Sequence, residues 1–267
     1  LRVPPEALVS SMKEHQKYFH VMKDGKLLPN FITVSNIESK DPAQVISGNE
    51  KVIRPRLADA AFFWDTDRKQ KLESRFAKLE NVVWVNKLGS VADKARRIGA
   101  LAARIAGETG GDKALVERAA QLCKNDLVSN MVFEFTDLQG LAGKYYAEHD
   151  GEHADVAAAM VEQYMPAFAG DELPATQTGT LIALADRLDS LVGLFGLGQI
   201  PTGSKDPFAL RRASLGVLRI LVEKEINIDL ATLIDYALEG DWKTAPKADT
   251  KATLIEYMLE RFSAWYK

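Results

Sequence analysis

The spacing of apolar residues changes character at about residue 80. Before that point, helical and alternating stretches mix. Pro4-Pro5 lead into "ALVSSMKEH", which has helical character. "YFHVMKDGKLLPNFITVSNI" sets aromatic and β-branched residues on both sides of Asp24-Gly25, the pattern of a β-hairpin with a tight turn. Two strands alone are marginal in water, so further strands are expected upstream of Leu1. "DPAQVISGNEKVIRPRLADAAFFWDTDRKQKLESRFAKL" reads as mostly helical, broken near Gly48 and Pro55. From residue 80 the pattern is helical throughout. Ser90 and Asp93 resemble a capping box ahead of "VADKARRIGALAARIAG", and Asp112 is placed to cap "KALVERAAQLCKNDLVSNMVFEF". Shorter helices follow in "DLQGLAGKYYAEH", "EHADVAAAMVEQYM" and "GTLIALADRLDSLVGLFGLG". The last third predicts a helix over 207–224, a short one over 229–239 and a terminal helix. Residues 239–252, charged, proline-bearing and without periodicity, predict a linker.

These elements predict a mainly α chain: a partial α+β segment over 1–78, a helical domain over 79–200 and a helical linker region over 201–267. A length of 267 residues, with 46% hydrophobic and 27% charged, suffices for real cores. The net charge of -3 gives no global basic signal, so nucleic-acid contact would need a local patch of Lys and Arg. One cysteine, Cys123, excludes an internal disulfide and a multi-cysteine zinc site, which fits a reducing cytoplasm. No apolar run reaches the ~18 residues of a membrane span. A start at Leu1 without Met and a stop within "LIEYMLERFSAWYK" are the features expected of an excised fragment.

Three kinds of candidate chemistry can be weighed. Gly198 to Lys205 reads G-Q-I-P-T-G-S-K, which inverts the Lys-Ser order of a phosphate-binding P-loop and follows a helix instead of a strand. The next helix has Asp206 as its expected cap and Pro207 at its first position. Phe208, Leu215, Leu218 and Val222 form its expected apolar stripe, widened by Leu210, Val217 and Leu221. Arg212, Gly216, Arg219 and Glu223 share one line. They read either as a solvated edge with an Arg219–Glu223 ion pair, or as an anion grip in which Gly216 lets a bulky partner approach. In the second reading Lys205, Arg211 and Arg212 hold phosphates. Of the histidines, His15, His20, His149 and His153, the last pair is split by Asp150-Gly151, so a shared metal-binding face is not expected. Asp186 and Asp189 lie three apart on one helix, as ligands or acid/base groups, or neutralised by Arg187 and neighbouring helix ends.

"NFITVSNIESKDPAQVISGNEKVIRPRLADAAFFWDTDRK", "NMVFEFTDLQGLAGKYYAEHDGE" and "LADRLDSLVGLFGLGQIPTGSKDPFALRRASLGVLRI" together resemble the β subunit of the bacterial heterotetrameric glycyl-tRNA synthetase over nearly the whole chain. The resemblance implies an HD-like helical bundle over 79–200. HD hydrolases hold metal through an early His, an adjacent His-Asp pair and a late Asp. Here the pair falls on Cys123-Lys124, the early His near Gly89-Ser90, and only the late Asp persists, as Asp186. A lysine puts a cation where the metal would sit. A degenerate scaffold without metal or phosphohydrolase activity is therefore expected.

By the same resemblance, glycine activation belongs to a separate α subunit that holds ATP and magnesium. This segment would need no cofactor and no catalytic residue of its own. It would support α2β2 assembly and tRNA(Gly) binding in the cytoplasm. Lys205, Arg211, Arg212 and Arg219 are the first candidate RNA contacts, and Lys51, Arg54 and Arg56 the second. Both clusters could instead meet carboxylates of neighbouring domains. The rival functions are an HD-type metal-dependent phosphohydrolase and a purely structural module docking the α subunit.

Overall fold

The computed structural model describes residues 2–266. Helix α1 (Pro5–Ser10) starts on a proline at its first position and tightens into a π-helical turn over Ser11–His15. Strands β1 (Phe19–Lys23) and β2 (Lys26–Ile32) pair antiparallel. The expected turn joins them, with Asp24 at φ 50 and Gly25 at φ 72, the left-handed values a two-residue hairpin loop requires. Tyr18 stacks on Phe31 at 4.8 Å and packs with Met12 and Ile53, which fixes the hairpin on helix α2 (Pro42–Asp67).

Helix α2 runs unbroken for 26 residues, contrary to the breaks expected at Gly48 and Pro55. A single internal proline forfeits one backbone donor. The turns around it are held from outside, by Ile53 in the hairpin cluster and by Ala60 and Trp64 in the main core. A 3-10 stretch over Leu72–Asn81 and a short antiparallel pair, β3 (Val83–Val85) with β4 (Gly89–Ser90), lead into α3 (Val91–Thr109). The Ser90–Asp93 capping box forms as its sequence predicts.

Asp112 caps α4, but α4 (Lys113–Leu122) stops short of the long helix expected through Phe135. A 3-10 turn over Asn125–Val128 and helix α5 (Asn130–Glu134) replace its second half. Local polar side chains explain the break: Ser129 donates to the Asp126 carbonyl at 2.6 Å and caps α5, while the Asp126 carboxylate accepts from Gly140 and Gly143. Helices α6 (Leu141–His149), α7 (Ala154–Glu162), α8 (Gln177–Gly196), α9 (Leu210–Glu223), α10 (Leu230–Leu238) and α11 (Thr250–Tyr266) complete the chain.

Helix α8 is buried on nearly every side, its apolar residues interrupted by the charged stretch Asp186–Asp189. Leu181, Ile182, Leu184, Leu188, Leu191 and Val192 are all buried, with α3, α4, α7, α9, α10 and α11 packed around them. The resulting apolar cluster reaches from Val3 to Met258 and draws on all three stretches of the sequence. Residues 239–252 do not behave as a free linker. The Trp242 ring lies where a side chain on Gly193 would stand, Pro246 lies against Gly196, and Lys247 donates its backbone N–H to the Gly196 carbonyl at 3.2 Å. An aromatic and a proline supply contact area that a composition-based reading assigns to a loop.

One buried carboxylate ties three elements together. Asp67, at the end of α2, accepts from the Asn130 and Met131 backbone at 3.0 and 2.9 Å, from the Tyr146 hydroxyl at 2.7 Å, and pairs with Arg75. These bonds satisfy the first turn of α5 and anchor α6. Asp67→Ala leaves a buried guanidinium and two backbone donors unpaired. It is expected to cost roughly 3–5 kcal/mol in urea unfolding, with Asp67→Asn losing less because its carbonyl can still accept.

Candidate functional site

Helix α8 carries Asp186 and Asp189 through the core, and three cations converge on them from α3 and from the residue after the α4 C-cap. Lys94 reaches Asp186 Oδ1 at 2.9 Å and Asp189 Oδ2 at 3.0 Å. Lys124 reaches Asp186 Oδ2 at 2.7 Å, and Arg97 reaches Asp189 Oδ1 at 2.7 Å. Lys94 also donates to the Ser190 hydroxyl. Aromatic faces cover the cations: Lys94 lies 4.1 Å from the Trp84 ring centre and Arg97 4.2 Å from that of Trp242.

The electrostatics follow from this geometry. Burial pushes Asp186 up, but the Lys124 and Lys94 ammoniums outweigh it and hold the carboxyl well below its usual range. Burial pushes Lys124 down, and the Asp186 carboxylate more than reverses that. Cys123 is buried and its thiol is pushed up to about 12 by burial, so it is neither a thiolate nucleophile nor a ready metal ligand. Nearby Asp126 is pushed up to about 6 by burial, against the bonds from Gly140 and Gly143, and its Oδ1 has no partner among the described residues.

The expected HD positions are partly displaced. Lys124 and Asp186 meet directly, whereas Gly89 and Ser90 end β4 and cap α3. The α3 side chain that reaches Asp186 is Lys94. Arg187 does not neutralise the aspartates; its guanidinium donates to the carbonyls of Gln163, Ala183 and Pro166 at 3.0, 3.1 and 3.0 Å. These residues do not fit a divalent cation. Both Asp186 oxygens accept from ammoniums, and no three His, Cys, Asp or Glu converge among the described residues. The histidines lie apart: His15 packs near Phe135, His20 lies in β1, His149 meets Arg68, and His153 caps α7.

The first basic cluster has a different frame from the one expected. The segment from Gly198 to Lys205 follows α8 and closes on itself through reciprocal backbone bonds between Thr202 and Lys205. Helix α9 begins at Leu210, so Pro207 lies before it, and Ala209 takes the left-handed φ of 54. Asp206 still caps, accepting from the Leu210 and Arg211 N–H groups at 2.8 and 3.0 Å. The buried face runs through Leu210, Val217, Leu218 and Ile220, while Phe208 and Val222 are exposed. Phe208 falls outside the helix because of the late start, and Val222 lies in its last turn. Gly216 does admit a bulky partner, but that partner is internal: a Cβ there would stand 2.5 Å from Nε of Arg187.

Lys205 and Arg212 are exposed, and Arg211 donates to the Gly203 carbonyl. Arg219 is spent internally, on Glu223 at 2.7 Å and on the Asp171 carbonyl at 3.0 Å. Lys51, Arg54 and Arg56 are exposed along α2, with Arg54 near Glu50 at 3.5 Å. Sequence reasoning missed Lys94, Arg97, Trp84 and Trp242. The available signal was the pair of cations three apart among the apolar residues of "VADKARRIGALAARIAG".

The family model described as "Glycyl-tRNA synthetase beta subunit" matches residues 1–267. A glycine–tRNA ligase beta subunit of Marinobacter nauticus is 61% identical over 267 residues, covering 100% of this chain and 38% of the relative. That of Chromohalobacter salexigens is 59% identical over 269 residues (99% and 39%), and that of Klebsiella pneumoniae 57% over 268 (100% and 39%). The chain thus spans about two fifths of the length of these curated relatives.

Two substitutions test the buried centre. Lys124→Met is expected to cost roughly 3–5 kcal/mol at pH 7 in urea unfolding. A depressed carboxylate lends its stability above its ordinary value and loses it as pH falls through the folded one. The Lys124→Met penalty should therefore shrink below pH 3.8, where a free aspartate titrates. Asp126 has the opposite sign, because its neutral form is the one the fold prefers. Stability should fall as pH rises from 3.8 to about 6. Asp126→Asn should gain on the parent by roughly 3 kcal/mol across that window, read from paired urea curves at pH 4 and 7.

Proposed function

The chain belongs to the glycyl-tRNA synthetase beta subunit family, and we propose that it is a non-catalytic segment serving tRNA binding and subunit assembly in the charging of tRNA(Gly) with glycine. The observation that carries the reading is the state of Asp186: both its oxygens accept from ammoniums, so a metal there would have to sit beside two cations. The chemistry is then assigned to an α subunit, where ATP and magnesium would be held, in an α2β2 enzyme of the cytoplasm. No helix among the described residues is long and apolar enough to cross a membrane.

In this reading the exposed members of the two basic clusters meet RNA phosphates. Lys205, Arg211 and Arg212 cluster at the start of α9, and Lys51, Arg54 and Arg56 along α2. Arg219 takes a supporting part, since its charge is already shared with Glu223. Assembly falls to apolar surface outside the core. Phe19 and Ile32, both more than half exposed and opposite each other on the hairpin, are side chains suited to docking another subunit or domain.

Binding to tRNA(Gly) across a salt series tests the RNA contact. Each lost phosphate contact should reduce the slope of log affinity against log salt by roughly 0.7–0.9. The triple variant Lys205→Ala, Arg211→Ala, Arg212→Ala is expected to bind more weakly with a shallower slope, and Lys51→Ala, Arg54→Ala, Arg56→Ala likewise. Unchanged slopes in both would remove RNA from these surfaces and leave assembly alone.

A further inference from the structure

Beside the ion-paired centre lies a cavity of about 570 Å3 bordered by both Arg187 and Arg212. Neither guanidinium meets a carboxylate. Arg187 has three bonds to backbone carbonyls, which satisfy N–H groups and leave the charge uncompensated. Arg212 forms no ion pair among the described residues. The nearest acidic group on the floor, Asp186, is paired with Lys94 and Lys124, while Asp137 on the wall accepts from the Ser10 hydroxyl and keeps its charge. The two guanidiniums also act on each other. Burial holds Arg187 below its ordinary value, Asp186 opposes this, and Arg212 adds to it.

Two guanidiniums face the cavity against one carboxylate, Asp137, that no cation pairs among the described residues, and the surplus positive charge favours an anion there. The polar groups around the cavity extend that preference. The Ser190 hydroxyl accepts from Lys94 at 2.9 Å, so its own proton is free to donate into the space. The Tyr164 hydroxyl has no hydrogen-bond partner among the described residues, and its ring borders the cavity with the exposed Phe208 ring. Gln163 is 1% exposed and its side-chain amide is held inside the wall, donating to the Cys123 and Met160 carbonyls at 2.6 and 2.8 Å. The space is many times the volume of a phosphate and within the range of sites for small organic ligands.

We propose that this cavity is a non-catalytic binding site for a phosphomonoester carried on a ring-bearing group, of the size of a nucleoside monophosphate. The phosphate lies between Arg187 and Arg212 with Ser190 donating to it. The organic part lies against Tyr164 and Phe208, with the Tyr164 hydroxyl available to it. The site binds without hydrolysing, because a metal at Asp186 would have to sit beside two cations. It does not depend on contact between α9 and RNA.

Calorimetric titration of the chain with adenosine 5′-monophosphate tests this, with inorganic phosphate and adenosine as paired probes. The monophosphate is expected to bind below about 1 mM, and phosphate and adenosine each at least about tenfold more weakly. Arg212→Glu, an exposed position, should weaken the monophosphate at least about tenfold without lowering the thermal transition. Tyr164→Phe, which removes one hydroxyl, should weaken it less. The proposal is overturned if phosphate or adenosine binds as tightly as the monophosphate, if Arg212→Glu binds it unchanged, or if no heat is seen up to about 10 mM. Arg212-dependent binding of tRNA without any binding of the monophosphate would also overturn it, placing Arg212 on an RNA surface instead.

Discussion

A helix buried on nearly every side has to carry two aspartates through an apolar core, and the arrangement of its neighbours follows from that. Desolvating a carboxylate costs several kcal/mol, so Asp186 and Asp189 are tolerable only where cations arrive with them. Lys94 and Arg97 come from one turn of α3 and Lys124 from the residue after the α4 C-cap, which fixes both elements against α8 in one register. A slide of either by one turn would strand a charge. Replacing such a group with apolar side chains is often neutral or stabilising elsewhere.

The same logic separates working charges from structural ones on α9. Arg187 needs space beside that helix and gains it from Gly216, so a glycine that reads as an opening to an outside partner is filled from within. Arg219 is committed to Glu223 and to the Asp171 carbonyl. Arg212, one turn before Gly216, has no such commitment. A stripe that looks uniform in sequence therefore divides into a packed part and an available part, and burial by α8 draws the line.

Much of this was legible beforehand. The Ser90–Asp93 box, the Asp112 cap and the Asp24-Gly25 turn depend on residues within four positions of each other, and all form as the sequence predicts. Lys124 and Asp186, which the resemblance singles out, meet at 2.7 Å. What could not be read depends on distant partners. Pro55 reads as a break until Ile53 and Ala60 are seen anchored on either side. Trp242 and Pro246 read as loop until the glycines of α8 are seen to receive them. Lys94 is an unremarked surface-type residue until α8 is laid beside it, since nothing within one turn of sequence marks its side chain as buried.

The fastening at Asp67 has a mechanical side. Helix α2 is clamped at its C-terminal end by the bonds to Asn130, Met131 and Tyr146, and is mostly exposed along the rest of its 26 residues. At 1.5 Å per residue it is a rod about 39 Å long, and it is braced a second time near its middle, where Ile53 packs with Met12 and Tyr18. Those two follow α1, whose Ala7 and Leu8 sit in the main core. Held at two separate points, the rod keeps a fixed bearing, so the hairpin and the basic residues from Lys51 to Arg56 stand at a set distance from the buried helices.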